Sequence, residues 1–416
     1  NLRRAYNLPT HEISDAIQAY NFYRTLYHTQ NIHLIYDSRN EGAQNEISRY
    51  FYQLQYLLNA PIQQYNYQLQ VQNTNNETEE NAQITINKTP EIINKLNSYK
   101  TSNSSLSASC LKDYIACPLR FYFSTIASIK SPNEIKETGE SSLLGRIYHK
   151  AMEIYYNKYS IPQQLKKQEI TQLIHDAFIE EGTTSNKQVQ ITGFNSLIFN
   201  LVYQFIENTI NFDIARYEQD QFNKVQSEIE IKFFYNQIHF KGYIDRIDHT
   251  KETINIIDYK TTTSKTKKDI NILELFTSHE SAYNELFQII LYCHIYSSIQ
   301  PTSRKTLKIR PLLYKTYELS KSNTELHTIT LQVPNQLLNP NNLPSFDTQL
   351  DDIDTNKSSC TTIDVTDYAL ISTPFEWLLQ KMLNNIYNPN IPFTTNENST
   401  EEKACKFCPY KTICKK

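Results

Sequence analysis

The stretch FKGYIDRIDHTKETINIIDYKTTT, residues 240–263, decides how this chain is read. Apolar residues alternate through QIHFKGYIDRID and TINIIDYKT, and the polar run HTKET between them suits a connecting turn. The pattern predicts an antiparallel hairpin. In its second strand Asp258 and Lys260 stand two residues apart and share a face, and pairing brings Asp245 of the first strand close to them. Such a cluster has two explanations. Asp245, Arg246, Asp248, Asp258 and Lys260 form ion pairs on an exposed sheet face, or the carboxylates hold a divalent cation, with Lys260 beside it to orient water or to stabilise charge on a phosphorane-like transition state.

Composition narrows the choice. A chain of 416 residues buries a large core and predicts two or three modules. The net charge of -3 argues against a generally basic nucleic-acid coat, so any nucleic-acid site is local or works through bound cations. The apolar runs LFQIILYCHIY and NSLIFNLVYQFI are far shorter than the roughly 20 residues of a membrane span, and no secretory signal opens the chain. It begins at Asn1, which reads as the C-terminal part of something longer. None of the six glycines stands in a phosphate-cradling Gly-x-x-x-x-Gly-Lys loop.

Around the hairpin the elements alternate. Near the start, SDAIQAYNFYRTLYH and NEISRYFYQLQYLL have helical patterns, with a β-like NIHLIYD between them. Gln- and Asn-rich sequence from Asn59 to about Lys88 reads as loop and linker, with a strand near AQITINK. SNSSLSAS offers an N-cap cluster before a helix through CLKDYIACPLRFYF. Helices are expected at about 141–159, 166–181, 194–217, 280–298 and 373–387, and strands at about 225–258, 305–317 and 325–332.

GYIDRID followed by IIDYKT is similar to the motifs of the PD-(D/E)XK nuclease superfamily, in its RecB-like branch. Upstream, LLGRIYHKAMEIYY resembles that branch's metal-binding helix, and downstream ELFQIILYCHIY resembles its Gln-x-x-x-Tyr helix. The resemblance implies an α/β fold: a restriction-endonuclease-like core with a mixed β-sheet flanked by helices. It implies His149, Asp245, Asp258 and the backbone carbonyl of Tyr259 as ligands of Mg²⁺ or Mn²⁺, and Lys260 as the catalytic lysine. Gln288 and Tyr292, one turn apart, then position DNA or brace the lysine, or else pack in the core with polar tips. Glu228 and Glu230 either add a carboxylate or face solvent, and the lysines of SKTKKD either touch phosphate or form a solvated run.

Seven cysteines are spread unevenly, and Cys405, Cys408 and Cys414 have the spacing C-x2-C-x5-C, with Cys117 far upstream in YIACPLRFYF. The crowding favours a metal or cluster in a reducing compartment over disulfides, and four thiolates also suit zinc. The CP-x-x-FYF segment with a terminal C-x-x-CPYK-x-x-C is similar to the iron–sulfur staple of AddB-type nucleases, which implies a 4Fe–4S cluster on these four residues. Cys110, Cys293 and Cys360 have no partner at motif spacing.

The first module, from DAIQAYNFYRTLYH to NEISRYFYQL, resembles the end of the helicase-like half of AddB-type proteins, the Bacteroidetes-type relatives in particular. The arginine that meets ATP in active helicases is replaced at about Tyr27-His28, with Arg24 one turn away, which implies no ATP hydrolysis by this segment. The organisation expected is residues 1–75 as the end of an inactive helicase-like domain, 76–101 as linker and 102–416 as a RecB-like nuclease domain. The resemblance implies a cytoplasmic, Mg²⁺-dependent DNA exonuclease of a helicase–nuclease in double-strand break repair, with a partner subunit and no membrane. Rival readings are a catalytically inactive DNA-binding scaffold on the same fold, a stand-alone CRISPR-adaptation nuclease, and a zinc protein without nucleic acid.

Overall fold

The computed structural model describes residues 11–27, 29, 31–34, 48–63, 84–101, 104–129, 140–181, 193–262, 270–278, 280–300, 307–319, 328–395, 405 and 408–414. The helicase-like position at His28, the run SKTKKD and most of the Gln- and Asn-rich stretch lie outside them. The chain divides into two compact units, one of residues 1–81 with 191–197, the other of 82–190 with 198–416.

The long helices are α1 (His11–Tyr27), α2 (Pro90–Asn97), α3 (Ala108–Ala116), α4 (Glu140–Lys158), α5 (Lys167–Glu180), α6 (Phe194–Asp220), α7 (Ser281–Ile299) and α8 (Ser372–Tyr387). The strands are β1 (Thr85–Ile86), β2 (Asn223–Tyr235), β3 (Ile238–His249), β4 (Thr253–Lys260), β5 (Ile270–Asn271), β6 (Lys308–Lys315), β7 (Thr330–Pro334), β8 (Cys360–Asp364) and β9 (Phe393–Thr394). Among the described residues, no helix is long and apolar enough to cross a membrane.

In the first unit Tyr23 of α1 donates its hydroxyl to Gln53 Oε1 at 2.7 Å, and Phe22 stacks on Tyr50 at 4.8 Å. Residues 31–34 of the run read as β-like form no strand. Arg24 is exposed, its guanidinium 5.9 Å from the Tyr20 ring.

The second unit is built on a mixed sheet in the order β2-β3-β4-β6, antiparallel except for the parallel β4-β6 pair. Asn236 and Gln237 join β2 to β3 with φ of 48° and 64°. Positive φ at both central residues is the two-residue hairpin geometry that matches strand twist. The next turn is closed by Thr250, whose amide donates to the Thr253 carbonyl at 2.8 Å and whose hydroxyl accepts from the Thr253 amide at 2.8 Å. A parallel β4-β6 pair requires a crossover, and α7 supplies it. Twelve residues of α7 are buried, so that helix is core on nearly every side.

Charged residues survive in the strands because both sheet faces are covered. From Tyr243 onward, every residue of β3 from Ile244 to His249 is buried. By strand alternation Asp245 projects from one face, and Arg246 and Asp248 alternate with it. The helix expected through residues 110–123 is instead broken. Cys117 is extended, with φ of -167°, and Pro118 starts a new short helix that runs to Phe121. Proline disfavours helical backbone in the residue before it, and its fixed φ suits a first helical position.

Candidate active site

Three elements bring ligating side chains to the edge of this sheet. Asp245 of β3 accepts the Tyr259 amide of β4 on Oδ2 at 2.7 Å. His149 of α4 places Nδ1 3.5 Å from that oxygen and 3.8 Å from Glu228 Oε1 of β2. Among the described residues, His149, Glu228 and Asp245 each offer one ligand atom within 4.8 Å of the other two. Glu228 reaches this position through a left-handed backbone, with φ of 47° in the middle of β2. A non-glycine residue adopts that conformation in a strand at a cost, and such strain recurs where a side chain must be re-aimed. Glu230, two residues on, turns to solvent and pairs with Lys241 at 2.8 Å.

Beside the triad, Asp258 and Lys260 form an ion pair, Oδ2 to Nζ, at 2.5 Å. Gln288 of α7 donates Nε2 to the other oxygen of Asp258 at 3.0 Å and lies 3.4 Å from the Tyr292 hydroxyl. Tyr292 is pressed against the backbone of β3. A Cβ added at Gly242 would meet its ring carbon Cε1 at 2.9 Å. Gly242→Ala is therefore expected to displace a buried ring and to cost about 1–3 kcal/mol. In urea, the unfolding midpoint should fall at an unchanged slope, and an unchanged midpoint would show that the ring moves freely.

The groups perturb one another strongly. Burial opposes the charge on His149, yet Asp245 and Glu228 outweigh it and hold its pKa up to about 10. Burial also opposes ionisation of Asp245, but His149 and Lys260 hold its carboxyl below the usual range. Asp258 goes the other way. Burial, reinforced by Asp245 and only partly offset by Lys260, pushes it up to about 6. For Lys260, burial is overcome by Asp258 and Asp245, which keep the ammonium charged.

The explanation of this cluster as ion pairs on an exposed sheet face is overturned. Asp245, Arg246, Asp248 and Asp258 are 9%, 0%, 0% and 1% exposed. Arg246 grips Asp248 bidentately at 2.7 and 2.9 Å, reaches Asp213 of α6 at 2.5 Å and donates to the Tyr259 hydroxyl at 3.3 Å. Arg216 of α6 bonds Asp248 and donates to the Tyr314 hydroxyl at 2.6 Å, and Tyr156 and Tyr314 both donate to Asp213. Two arginines and two aspartates thus neutralise one another behind β3, with every carboxylate oxygen hydrogen-bonded. This network ties the back of Tyr259 to the strand that carries Asp245.

A cavity of about 550 Å³ opens beside the triad, lined by Arg146, His149, Lys150, Glu153, Glu228 and Tyr243 among others. Its size suits a small ligand or one nucleotide. Its basic residues are paired, Arg146 with Glu181 at 3.1 Å and Lys150 with Glu153 and Glu180 at 2.7 and 3.1 Å.

The donor set of the triad, two carboxylates and one imidazole, fits a hard divalent cation. The cysteines are less assembled. Burial pushes the Cys408 thiol up, and Cys117 and Cys405 are close enough to push it further. Cys117, Cys408 and Cys414 all pack against the core. Among the described residues, no three thiols come within reach of one ion.

Residues 105–415, more than half of the chain, match the sequence profile of the PD-(D/E)XK nuclease superfamily. The chain belongs to that superfamily. The mixed sheet flanked by helices is the α/β arrangement that PD-(D/E)XK membership implies. Uncharacterized proteins of Rickettsia bellii and Rickettsia conorii are 25% identical to this nuclease-family chain over 217 and 210 residues. The matches cover 49% and 46% of this chain but 25% and 24% of those proteins, so the chain spans about a quarter of their length. Among solved structures, a protein of Eubacterium rectale provisionally described as an exonuclease aligns at 10% identity with a TM-score of 0.34, covering 72% of this chain and 87% of its own. A Vibrio cholerae protein aligns at 10% identity with a TM-score of 0.21, covering 60% and 62%.

Sequence reasoning left Glu228 undecided and passed over Lys112, which donates to Gln288 Oε1 at 2.8 Å. The stretch SCLKDYIACP carries no metal or catalytic spacing that singles out this lysine.

Proposed function

We propose that this chain is the nuclease portion of an AddB-type, RecB-like helicase–nuclease, a Mg²⁺- or Mn²⁺-dependent DNA exonuclease that works with a partner subunit on double-strand breaks in the cytoplasm. One observation carries the reading. His149, Glu228 and Asp245, from a helix and two strands, converge within 4.8 Å beside the Asp258–Lys260 pair.

In this reading His149, Glu228, Asp245 and Asp258, with the carbonyl of Tyr259, would hold the cation. When bound, a divalent cation supplies charge neutralisation at a phosphate oxygen and an acidified water at neutral pH. The remaining work falls to the protein. Tyr259 fixes the rotation of Asp245 through its amide, and Gln288 fixes that of Asp258 through Nε2. The Lys260 ammonium, kept charged by its neighbours, faces the charge that develops as water oxygen bonds to phosphorus and the bond to the leaving sugar oxygen breaks. Tyr243, 47% exposed, offers a ring on which an end base can stack. The chemistry is tested on end-labelled single-stranded and duplex DNA. Cleavage is expected with Mg²⁺ or Mn²⁺ and none in chelator, and intact DNA of both kinds in Mg²⁺ and Mn²⁺ would refute the reading.

The four cysteines are proposed to hold a 4Fe–4S cluster that staples the ends of the nuclease domain. Support comes from the donor type and the C-x2-C-x5-C spacing of Cys405, Cys408 and Cys414 with Cys117 upstream. A multinuclear cluster also tolerates wider thiol spacing than a single zinc ion does. Protein purified without oxygen is expected to be brown. Serine at Cys117, Cys405, Cys408 or Cys414 should bleach it and lower its melting temperature, whereas Cys293→Ser and Cys360→Ser should keep the colour. Colourless anaerobic protein with one zinc per chain would replace the cluster by zinc.

A further inference from the structure

Lys112 lies on α3, outside every motif that carries the nuclease reading, yet its half-buried side chain ends inside the site. Nζ donates to Gln288 Oε1 at 2.8 Å. The carboxylate next to it in sequence is already taken, since Asp113 pairs with Arg120 at 2.7 Å and accepts the Ser124 hydroxyl at 3.0 Å. A lysine drawn out of water against an amide oxygen, with Lys260 as a like-charged neighbour, loses hydration and gains no ion pair at that contact.

The chemistry of the two groups explains what is gained. An ammonium only donates, so the oxygen of the Gln288 amide must face Lys112. Its nitrogen then faces the opposite way, where Asp258 Oδ1 accepts at 3.0 Å and the Tyr292 hydroxyl lies at 3.4 Å. The opposite amide orientation would set nitrogen against the ammonium and oxygen against the carboxylate, two repulsions at once. With Oδ1 thus occupied, Oδ2 is the Asp258 oxygen that pairs with the Lys260 ammonium, at 2.5 Å.

We propose that Lys112 is a positioning residue of the nuclease site, locking the Gln288 amide with its oxygen toward α3 so that Gln288 holds Asp258 by Oδ1 and presents Oδ2 to Lys260 and the cation. This rests on the nuclease reading and adds to it a group that acts through Gln288 and touches neither cation nor phosphate.

The test is a double-mutant cycle read by Mn²⁺ dissociation constant, by kcat and KM for DNA, and by melting temperature. Lys112→Met is expected to weaken Mn²⁺ binding and to lower kcat by about 10- to 100-fold each, the range for residues that orient metal ligands, with KM for DNA unchanged. Gln288→Leu should lose about as much, and the double variant no more than Gln288→Leu alone, because the lysine acts through the amide. Lys112→Gln, which still offers an N–H, should recover most of the loss. Losses that multiply, a rise in KM alone, or an unchanged Mn²⁺ constant in Lys112→Met would overturn the inference while a cleaving parent keeps the nuclease reading. A parent that binds no Mn²⁺ would overturn both. If Lys112→Met does not fold, Lys112→Gln decides: near-parental Mn²⁺ affinity supports the inference, and a loss as large as that of Gln288→Leu overturns it.

Discussion

Asp258→Ala is expected to lose metal-dependent cleavage while remaining folded. The loss should exceed the roughly 100-fold that removal of an outer partner of a metal ligand costs, because a ligand itself is removed. The fold should survive for an electrostatic reason. Burial raises Asp258 from 3.8 to about 6, so between about pH 4 and pH 6 the metal-free fold keeps a proton that the unfolded chain has released. The contribution of this carboxyl to stability therefore falls as pH rises through that window, and at neutral pH its ionised form is a cost that alanine removes. Lys260 keeps Asp245 and Glu285 within electrostatic reach. Two melting curves check the argument. Mg²⁺ should raise the melting temperature of the parent but not of Asp258→Ala, and the metal-free variant should melt no lower than the metal-free parent. Undiminished cleavage by Asp258→Ala would remove this residue from the site.

The second large effect lies behind the sheet. Arg246→Met takes one cation from a fully buried network: Asp213, 0% exposed, loses its arginine, while Asp248, also 0% exposed, keeps Arg216. Breaking a buried pair by removing one partner costs about 3–5 kcal/mol, because the charge left behind stays out of water. Urea unfolding should show a loss of that size. Removing Arg246 and Asp213 together should cost less than removing Arg246 alone, since Asp213 is the carboxylate left without an arginine while Arg216 still holds Asp248. A loss below about 1 kcal/mol in Arg246→Met would mean that water reaches the network and that it does not anchor Tyr259.

Much of the site was legible because it sits on regular elements. The two-residue period places Asp258 and Lys260 on one face, and their ion pair at 2.5 Å reflects that spacing. Helical spacing puts Gln288 and Tyr292 one turn apart, and their polar atoms lie 3.4 Å from each other. Glu228 shows where the period stops helping. On a regular strand it would project beside Glu230, but its φ of 47° turns it to His149 while Glu230 stays with Lys241. No residue type in VQSEIEIK announces that break. Alternation likewise separates Arg246 from Asp245, yet only the tertiary placement of α6, with Asp213 and Arg216, makes the far face a buried one. Lys112 is illegible for the same reason, since its partner is 176 residues away. Pro118 did carry a signal in plain sight, the break at Cys117, which the helical pattern on either side obscured.

Whether these residues hold a cation is read most directly by locating Mn²⁺ through anomalous scattering in crystals of this chain. A peak is expected among His149, Glu228 and Asp245, on the side of Asp258, and it should disappear in Asp245→Asn. Mn²⁺ bound elsewhere, or no peak at the triad at a concentration that supports cleavage, would contradict cation binding there.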